Sequence, residues 1–199
     1  MSKQSKLKII FIGFLFLLTP FIAQAAEVEF NIDPSYDYLG RSEITAFLYQ
    51  LGSNAYFYVE DAFYQTLDTD QKKEFSQALK NLAQEFDENI YPKLREVFGS
   101  EWNPGIDNDE KITVLITRIR AESGGYFNFG DEYPKIQSPR SNEREMVYLN
   151  ANFANSPLIK GFLAHEFTHL LTFNQNAKRG WSEAIWLNEA RAEAASVFL

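Results

Sequence analysis

Both histidines of this chain lie within one five-residue segment, His165-Glu166-Phe167-Thr168-His169. Residues i and i+4 of a helix lie on the same face, so two imidazoles at these positions can bind one zinc ion. Glu166 follows the first histidine, where its carboxylate can take a proton from a zinc-activated water and pass it to a leaving amine. The alternative interpretation is a chance match on an amphipathic helix that binds no metal.

A catalytic zinc ion needs a third protein ligand and an open fourth position for water. The chain has no third histidine and no cysteine, so a carboxylate must complete the site. Glu189 lies 20 positions after His169, on the next predicted helix, and Glu183 lies nearer, at the start of that helix. Spacing alone leaves both acids as candidates.

Two helices must position these groups. Ser156 and Pro157 are typical of a helix start, with serine as the N-cap and proline at the first position, and this helix is predicted to run to about Asn174. Residues 175–181 form a predicted polar loop. A last helix is predicted to begin near Ser182.

The preceding part of the chain predicts a sheet and one long helix. Residues 44–51 and 55–60 are aromatic and β-branched around Gly52-Ser53-Asn54, which indicates a hairpin. A long amphipathic helix is predicted from Thr69; Pro92 is expected to kink or split it, and Gly99 to end the second piece. The remaining predictions are an extended lead-in over 26–42, strands at 112–119 and 145–151, and an irregular segment at 121–144.

Composition limits the class of protein. The chain has 199 residues, 45% of them hydrophobic, which is enough for one domain with a core. The formal net charge is −8, and an acidic chain without a basic stripe is a poor nucleic-acid binder. The absence of cysteine excludes disulfides, thiolate zinc sites and cysteine nucleophiles.

The two ends of the chain carry their own predictions. Three lysines, a short apolar run and Ala23-Gln24-Ala25 are typical of a secretory signal peptide over residues 1–25, which predicts a secreted or periplasmic protein. The alternative is an uncleaved membrane anchor, but the apolar run is shorter than the roughly 20 residues that a spanning helix needs. The domain is then 26–199, and we expect it to continue beyond Leu199, because the last helix has no stop signal.

The segments HEFTH and Trp186–Glu193 (WLNEARAE) resemble the gluzincin zinc peptidases, the thermolysin-like group. The resemblance implies that His165, His169 and Glu189 are zinc ligands and that Glu166 is the catalytic base. It also implies that Glu193 hydrogen-bonds the first ligand histidine.

A narrower resemblance covers roughly residues 100–199. The segments 107–115, 125–127 and 141–149 are similar to those of the hyicolysin-type secreted bacterial neutral metalloproteases. Ala190 stands where glycine is common in that pattern, and Ala194 where an aromatic residue is common. Gluzincins usually stabilise the oxyanion with a tyrosine or histidine that follows the third ligand at a greater distance, and this sequence ends at Leu199 before such a residue is reached.

Together these features predict an α+β fold, in which a small mixed sheet packs on the zinc-binding helix and the start of a helical lobe follows. The predicted function is hydrolysis of internal peptide bonds in a protein or peptide substrate. One alternative is a secreted, non-catalytic protein with a structural zinc ion, which would not need Glu166. Another is an aminopeptidase of the same clan, which would need acids that bind a free amine.

Three further features carry open alternatives. Asp107, Asn108 and Asp109 either bind calcium or form a solvated turn, and the 12-residue calcium loop is incomplete here. Tyr126 and Tyr133 either contact the scissile carbonyl or are ordinary loop tyrosines. The strand at 145–151 is either the edge strand that pairs with substrate or a plain strand within the sheet.

Overall fold

A computed structural model describes residues 27–197 of the chain. The predicted signal peptide and the last two residues lie outside this range. Among the described residues, no helix combines the length and apolar character needed to cross a membrane. The strands are β1 (Glu27–Asn31), β2 (Glu43–Leu51), β3 (Ala55–Glu60), β4 (Ile112–Thr117), β5 (Gly125–Phe127) and β6 (Met146–Asn150). The α-helices are α1 (Asp61–Tyr64), α2 (Thr69–Glu85), α3 (Tyr91–Phe98), α4 (Ile159–Arg179) and α5 (Ile185–Val197).

The six strands form one mixed sheet in the order β1-β2-β3-β4-β6-β5. The first three strands pair antiparallel, β4 lies parallel to both β3 and β6, and β5 returns antiparallel to β6. The predicted α+β class with a mixed sheet is therefore confirmed, as is the predicted hairpin of β2 and β3.

Each face of the sheet carries its own apolar cluster, because side chains alternate along a strand. On β4, Val114 and Ile116 belong to the cluster that includes Phe167 and Leu170 of α4, whereas Leu115 belongs to the cluster on the opposite face. All six residues of β4 are buried, as expected for a central strand covered on both sides. The central parallel strands thus give α4 a rigid surface on which to pack.

The long helix begins at Thr69 as predicted, and Asp68 forms a capping box with Gln71. The predicted division of the helix near Pro92 is confirmed. A π-helical stretch at Phe86–Ile90 separates α2 from α3, and Pro92 lies in the first turn of α3, where proline is tolerated. Gly99 ends α3 with a positive φ of 88°, as predicted.

The helix with the two histidines differs from the prediction at both ends. It begins at Ile159 and Leu158 is its N-cap residue, so the predicted start at Ser156 and Pro157 is wrong. It continues through Arg179 to a left-handed Gly180, so the predicted loop at 175–181 is also largely wrong. Most of its last residues are only partly buried or exposed, because these polar side chains form the outward face of the final turns.

The edge of the sheet nearest α4 is β5, not β6. The expectation that the strand at 145–151 forms the edge is wrong, because β6 lies between β4 and β5. Two short strands, β1 and β5, were also missing from the prediction. β5 is only three residues long and lies within a turn-rich segment, so it has too few residues to show an alternating pattern.

Candidate metal centre

Helix α4 places both histidines on one face, as their spacing predicts. The Nε2 atoms of His165 and His169 lie 3.1 Å apart. Ligand atoms of His165, Glu166 and His169 all lie within 4.8 Å of one another. These three side chains therefore converge on one point beside the helix.

Helix α5 adds a carboxylate to this group. The Oε2 atom of Glu189 lies 3.5 Å from Nε2 of His165 and 3.7 Å from Nε2 of His169. A tetrahedral zinc ion with bonds of about 2.0–2.1 Å would hold its ligand atoms roughly 3.3 Å apart. The triangle formed by the two nitrogens and the oxygen has edges close to that value, so this donor set fits zinc.

The competing acid lies elsewhere. Glu183 forms an ion pair with Arg191, with Oε1 2.7 Å from Nη1, and its side chain is almost fully buried. The structure therefore brings Glu189, and not Glu183, to the two imidazoles. Spacing along the sequence could not separate these acids, because the choice depends on where the turn between the two helices directs α5.

Each imidazole has a second partner on α5. Nδ1 of His169 hydrogen-bonds Oδ1 of Asn188, and Nδ1 of His165 lies 3.7 Å from Oε2 of Glu193. A hydrogen bond at Nδ1 fixes the tautomer in which Nε2 is free to bind a metal. Glu193 is close to the first histidine but beyond hydrogen-bond distance, so its predicted hydrogen bond to His165 stays a prediction. The role of Asn188 was not predicted, although it stands in the Trp186–Glu193 segment.

Burial is the main cause of the pKa shifts of Glu166 and His165. It raises the pKa of Glu166 to about 8, and the negative charge of Glu189 adds to this effect. Burial, followed by the neighbouring His169, lowers the pKa of His165. A neutral imidazole is the form that binds a metal ion.

A cleft of about 280 Å³ opens onto the group. Gly125 of β5 forms part of its wall and allows the strand to approach Glu166 closely. A Cβ atom at this position would lie 2.5 Å from the Tyr148 carbonyl oxygen and 2.9 Å from Cγ of Glu166. Sequence reasoning did not single out Gly125 for this role, although a glycine within a strand often marks such a close approach.

The two tyrosines named from the sequence do not direct their hydroxyls to the group. Tyr126 lines the cleft, but its ring stacks between Tyr36 and Tyr148 on the sheet face opposite α4, and its hydroxyl accepts a hydrogen bond from the Asp33 N–H. Tyr133 packs edge-on against Phe173 and lines a different cavity. In the described part of the chain, neither hydroxyl is placed to stabilise an oxyanion.

The carboxylates of Asp107 and Asp109 accept hydrogen bonds from groups of the protein. Asp107 accepts the Asp109 N–H, and Asp109 accepts the Lys111 N–H and the Tyr56 hydroxyl, each at 2.9 Å. This arrangement resembles the turn alternative more than a calcium loop.

Comparison with known proteins shows that this chain is related in sequence to a metalloprotease. No protein-family model matches the chain. The neutral metalloprotease ShpI of Staphylococcus hyicus is 32% identical in an alignment of 133 residues that covers 58% of this chain and 29% of that protein. The match thus spans less than a third of the relative's length. This chain is related in sequence to a metalloprotease and carries a His-Glu-His group that can hold a metal ion.

Proposed function

We propose that this chain contains the zinc-binding region of a secreted, gluzincin-type metalloendopeptidase with a zincin-like fold. The observation that carries the proposal is the convergence of two imidazole nitrogens and the Glu189 oxygen, at 3.1, 3.5 and 3.7 Å, beside a buried Glu166. The relationship to a neutral metalloprotease supports the same reaction class. The leader-like pattern in residues 1–25 supports secretion.

Under this proposal His165, His169 and Glu189 hold zinc. Zinc, when bound, supplies the Lewis acidity that activates water as a nucleophile at neutral pH. Asn188 and Glu193 hold the imidazoles with Nε2 directed to the ligand triangle. Glu189 is 57% exposed at its side chain, so the centre stays open on one side to water and substrate.

Glu166 moves the proton. Its carboxylate accepts a proton from the attacking water and then donates it to the nitrogen of the leaving amine. A structural zinc site would have no use for a buried acid in this position.

The free edge of β5 offers a place for the peptide. Residues Gly125, Tyr126 and Phe127 line the cleft, and no other strand within residues 27–197 pairs with the outer edge of β5. An extended peptide can hydrogen-bond such an edge as an added strand. We propose that substrate lies along β5 with its scissile bond next to Glu166.

The decisive experiment compares the chain with its Glu166→Gln variant for zinc content and for casein hydrolysis. The parent should bind close to one zinc per chain and lose proteolysis on chelation, regaining it when zinc is restored. Glu166→Gln should keep zinc and lose proteolysis by at least about 100-fold, because an amide cannot accept the proton. Glu96→Gln, an exposed acid on α3, is the matched control.

Two outcomes would overturn the proposal. Absence of transition metal after zinc is supplied would exclude the metal centre. A parent that digests casein, with Glu166→Gln digesting it at the same rate, would exclude Glu166 as the catalytic base.

A further inference from the structure

Most buried acids of the described chain have a partner that compensates their charge. Asp37 and Glu60 pair with arginines, Glu101 lies 3.2 Å from Nε of Arg95, and Asp131 accepts hydrogen bonds from Tyr148 and Asn142. Burying an ionised carboxylate without such compensation is costly. This rule makes any buried acid without a partner an unusual feature.

Glu132 is such an exception. The residue is 1% exposed, and neither carboxylate oxygen has a hydrogen-bond partner among residues 27–197. A buried side chain without a partner in the polypeptide is a candidate ligand for a bound ion.

Glu145 is the acid that acts most strongly on Glu132. It is 2% exposed, and the one hydrogen bond to its side chain comes from the Ile106 N–H at 3.1 Å. Neither glutamate belongs to an ion pair in the described part of the chain. Burial, and then the charge of Glu145, raise the pKa of Glu132 to about 9, and burial raises that of Glu145 to about 7.

The turn before β4 closes over this pair. Gly105 has a φ of 78°, and a Cβ atom there would lie 1.8 Å from Oε2 of Glu145. The backbone thus approaches the carboxylate more closely than any other residue type allows. Gly105, Ile106 and Glu132 line one wall of the same cavity.

We propose that Glu132 and Glu145 bind a calcium ion, which the turn at Gly105 and Ile106 encloses. Two carboxylates supply the charge that a divalent cation balances, and the donors are all oxygen, which calcium prefers.

Burial favours a small ion over a larger ligand. The neighbouring cavity of about 510 Å³ is lined by Trp102, Pro104, Tyr133 and Pro134, which would suit an organic cation. The Glu132 oxygens have almost no solvent-exposed surface, however, which favours a small enclosed ion over an organic cation in that open cavity. Magnesium is less suitable than calcium, because it keeps several of its waters.

The test measures the thermal midpoint of the zinc-loaded chain with and without about 1 mM calcium, the upper range for extracellular calcium sites. Calcium should raise the midpoint of the parent and of Glu74→Gln, an exposed-acid control on α2. The shift should be absent in Glu132→Gln and in Glu145→Gln. Magnesium at the same concentration should give a smaller shift.

Terbium luminescence provides a second measurement that does not depend on stability. Excitation of Trp102, on the wall that Glu132 also lines, should sensitise terbium emission that calcium displaces. Trp102→Phe should lower this emission and leave the calcium shift intact.

The proposal fails if calcium leaves the parent's midpoint unchanged. It also fails if Glu132→Gln keeps the full calcium shift or the calcium-displaceable emission, because calcium would then bind elsewhere, such as at Asp107–Asp109. Stabilisation of the calcium-free protein by Glu132→Gln, with no calcium effect on the parent, would show that Glu132 is simply a neutral buried acid.

Discussion

The candidate metal centre and the Glu132–Glu145 pair both contain a buried glutamate with a raised pKa, but they differ in donors and access. The centre combines two imidazoles with a carboxylate and opens into a cleft of about 280 Å³. The pair has oxygen donors and lies beneath a turn. An open site with nitrogen donors suits zinc chemistry on a substrate, whereas an enclosed oxygen site suits an ion that stabilises the fold.

The largest effect should come from losing the carboxylate ligand of the open centre. Glu189→Ala should weaken zinc binding by more than about 100-fold, because it opens a second coordination position. Glu193→Ala should cost less, since this side chain is 75% exposed and 3.7 Å from the imidazole. Competition titration with a zinc chelator measures both, and a larger loss for Glu193→Ala would reverse the ligand assignment.

A smaller effect should follow from removing the partner of His169. Asn188→Ala should weaken zinc binding by about 10- to 100-fold, because the imidazole loses the hydrogen bond at Nδ1 that fixes its tautomer. The same titration measures the change, with Asn81→Ala on α2 as the control. Zinc affinity equal to that of the parent would mean that the helix packing alone orients the ring.

The enclosed pair can be tested through its covering turn. Gly105→Ala should destabilise the protein by about 2 kcal/mol or more, because alanine disfavours the positive φ and its Cβ would displace Glu145. Gly40→Ala is the matched control, with a φ of 72° and no atom within 4 Å of the added Cβ. It should cost about 1 kcal/mol through conformation alone. Urea unfolding measures both, and equal losses would show that Gly105 has no special contact with Glu145.

The buried carboxylates should also give a pH dependence of stability. In calcium-free buffer, folded Glu132 keeps its proton to about pH 9, whereas the unfolded chain releases it near 4.5. The free energy of unfolding should therefore fall as pH rises from about 4.5 towards 9, and calcium or Glu132→Gln should flatten that slope.

Glu60 should change the free energy of unfolding with pH in the opposite direction. Hydrogen bonds from Arg41 and Arg118 outweigh its burial and lower its pKa to about 2. Its contribution is fully present above about pH 4.5 and is lost as pH falls towards 2, so Glu60→Gln should flatten the acid side. Urea unfolding over a pH series would contradict this comparison if both variants flattened the same side.

The sequence alone determined the features that depend on short spacing. The i, i+4 spacing of His165 and His169 placed both imidazoles on one helix face, and the Gly52-Ser53-Asn54 segment placed a hairpin between β2 and β3. The start of α2 and the strands β4 and β6 followed from local composition and periodicity. In each case the interacting residues are near neighbours in the chain, so local geometry is sufficient.

The tertiary structure decided the features that depend on distant segments meeting. Strand order made β5, rather than β6, the free edge, and the turn into α5 selected Glu189 over Glu183 and placed Asn188 against His169. Glu145, directly before β6, reaches the turn before β4, and Glu132 lines the same cavity as that turn only because distant segments pack together. Residue types and spacing do not encode these encounters, because they depend on how the packed helices and strands exclude every other arrangement.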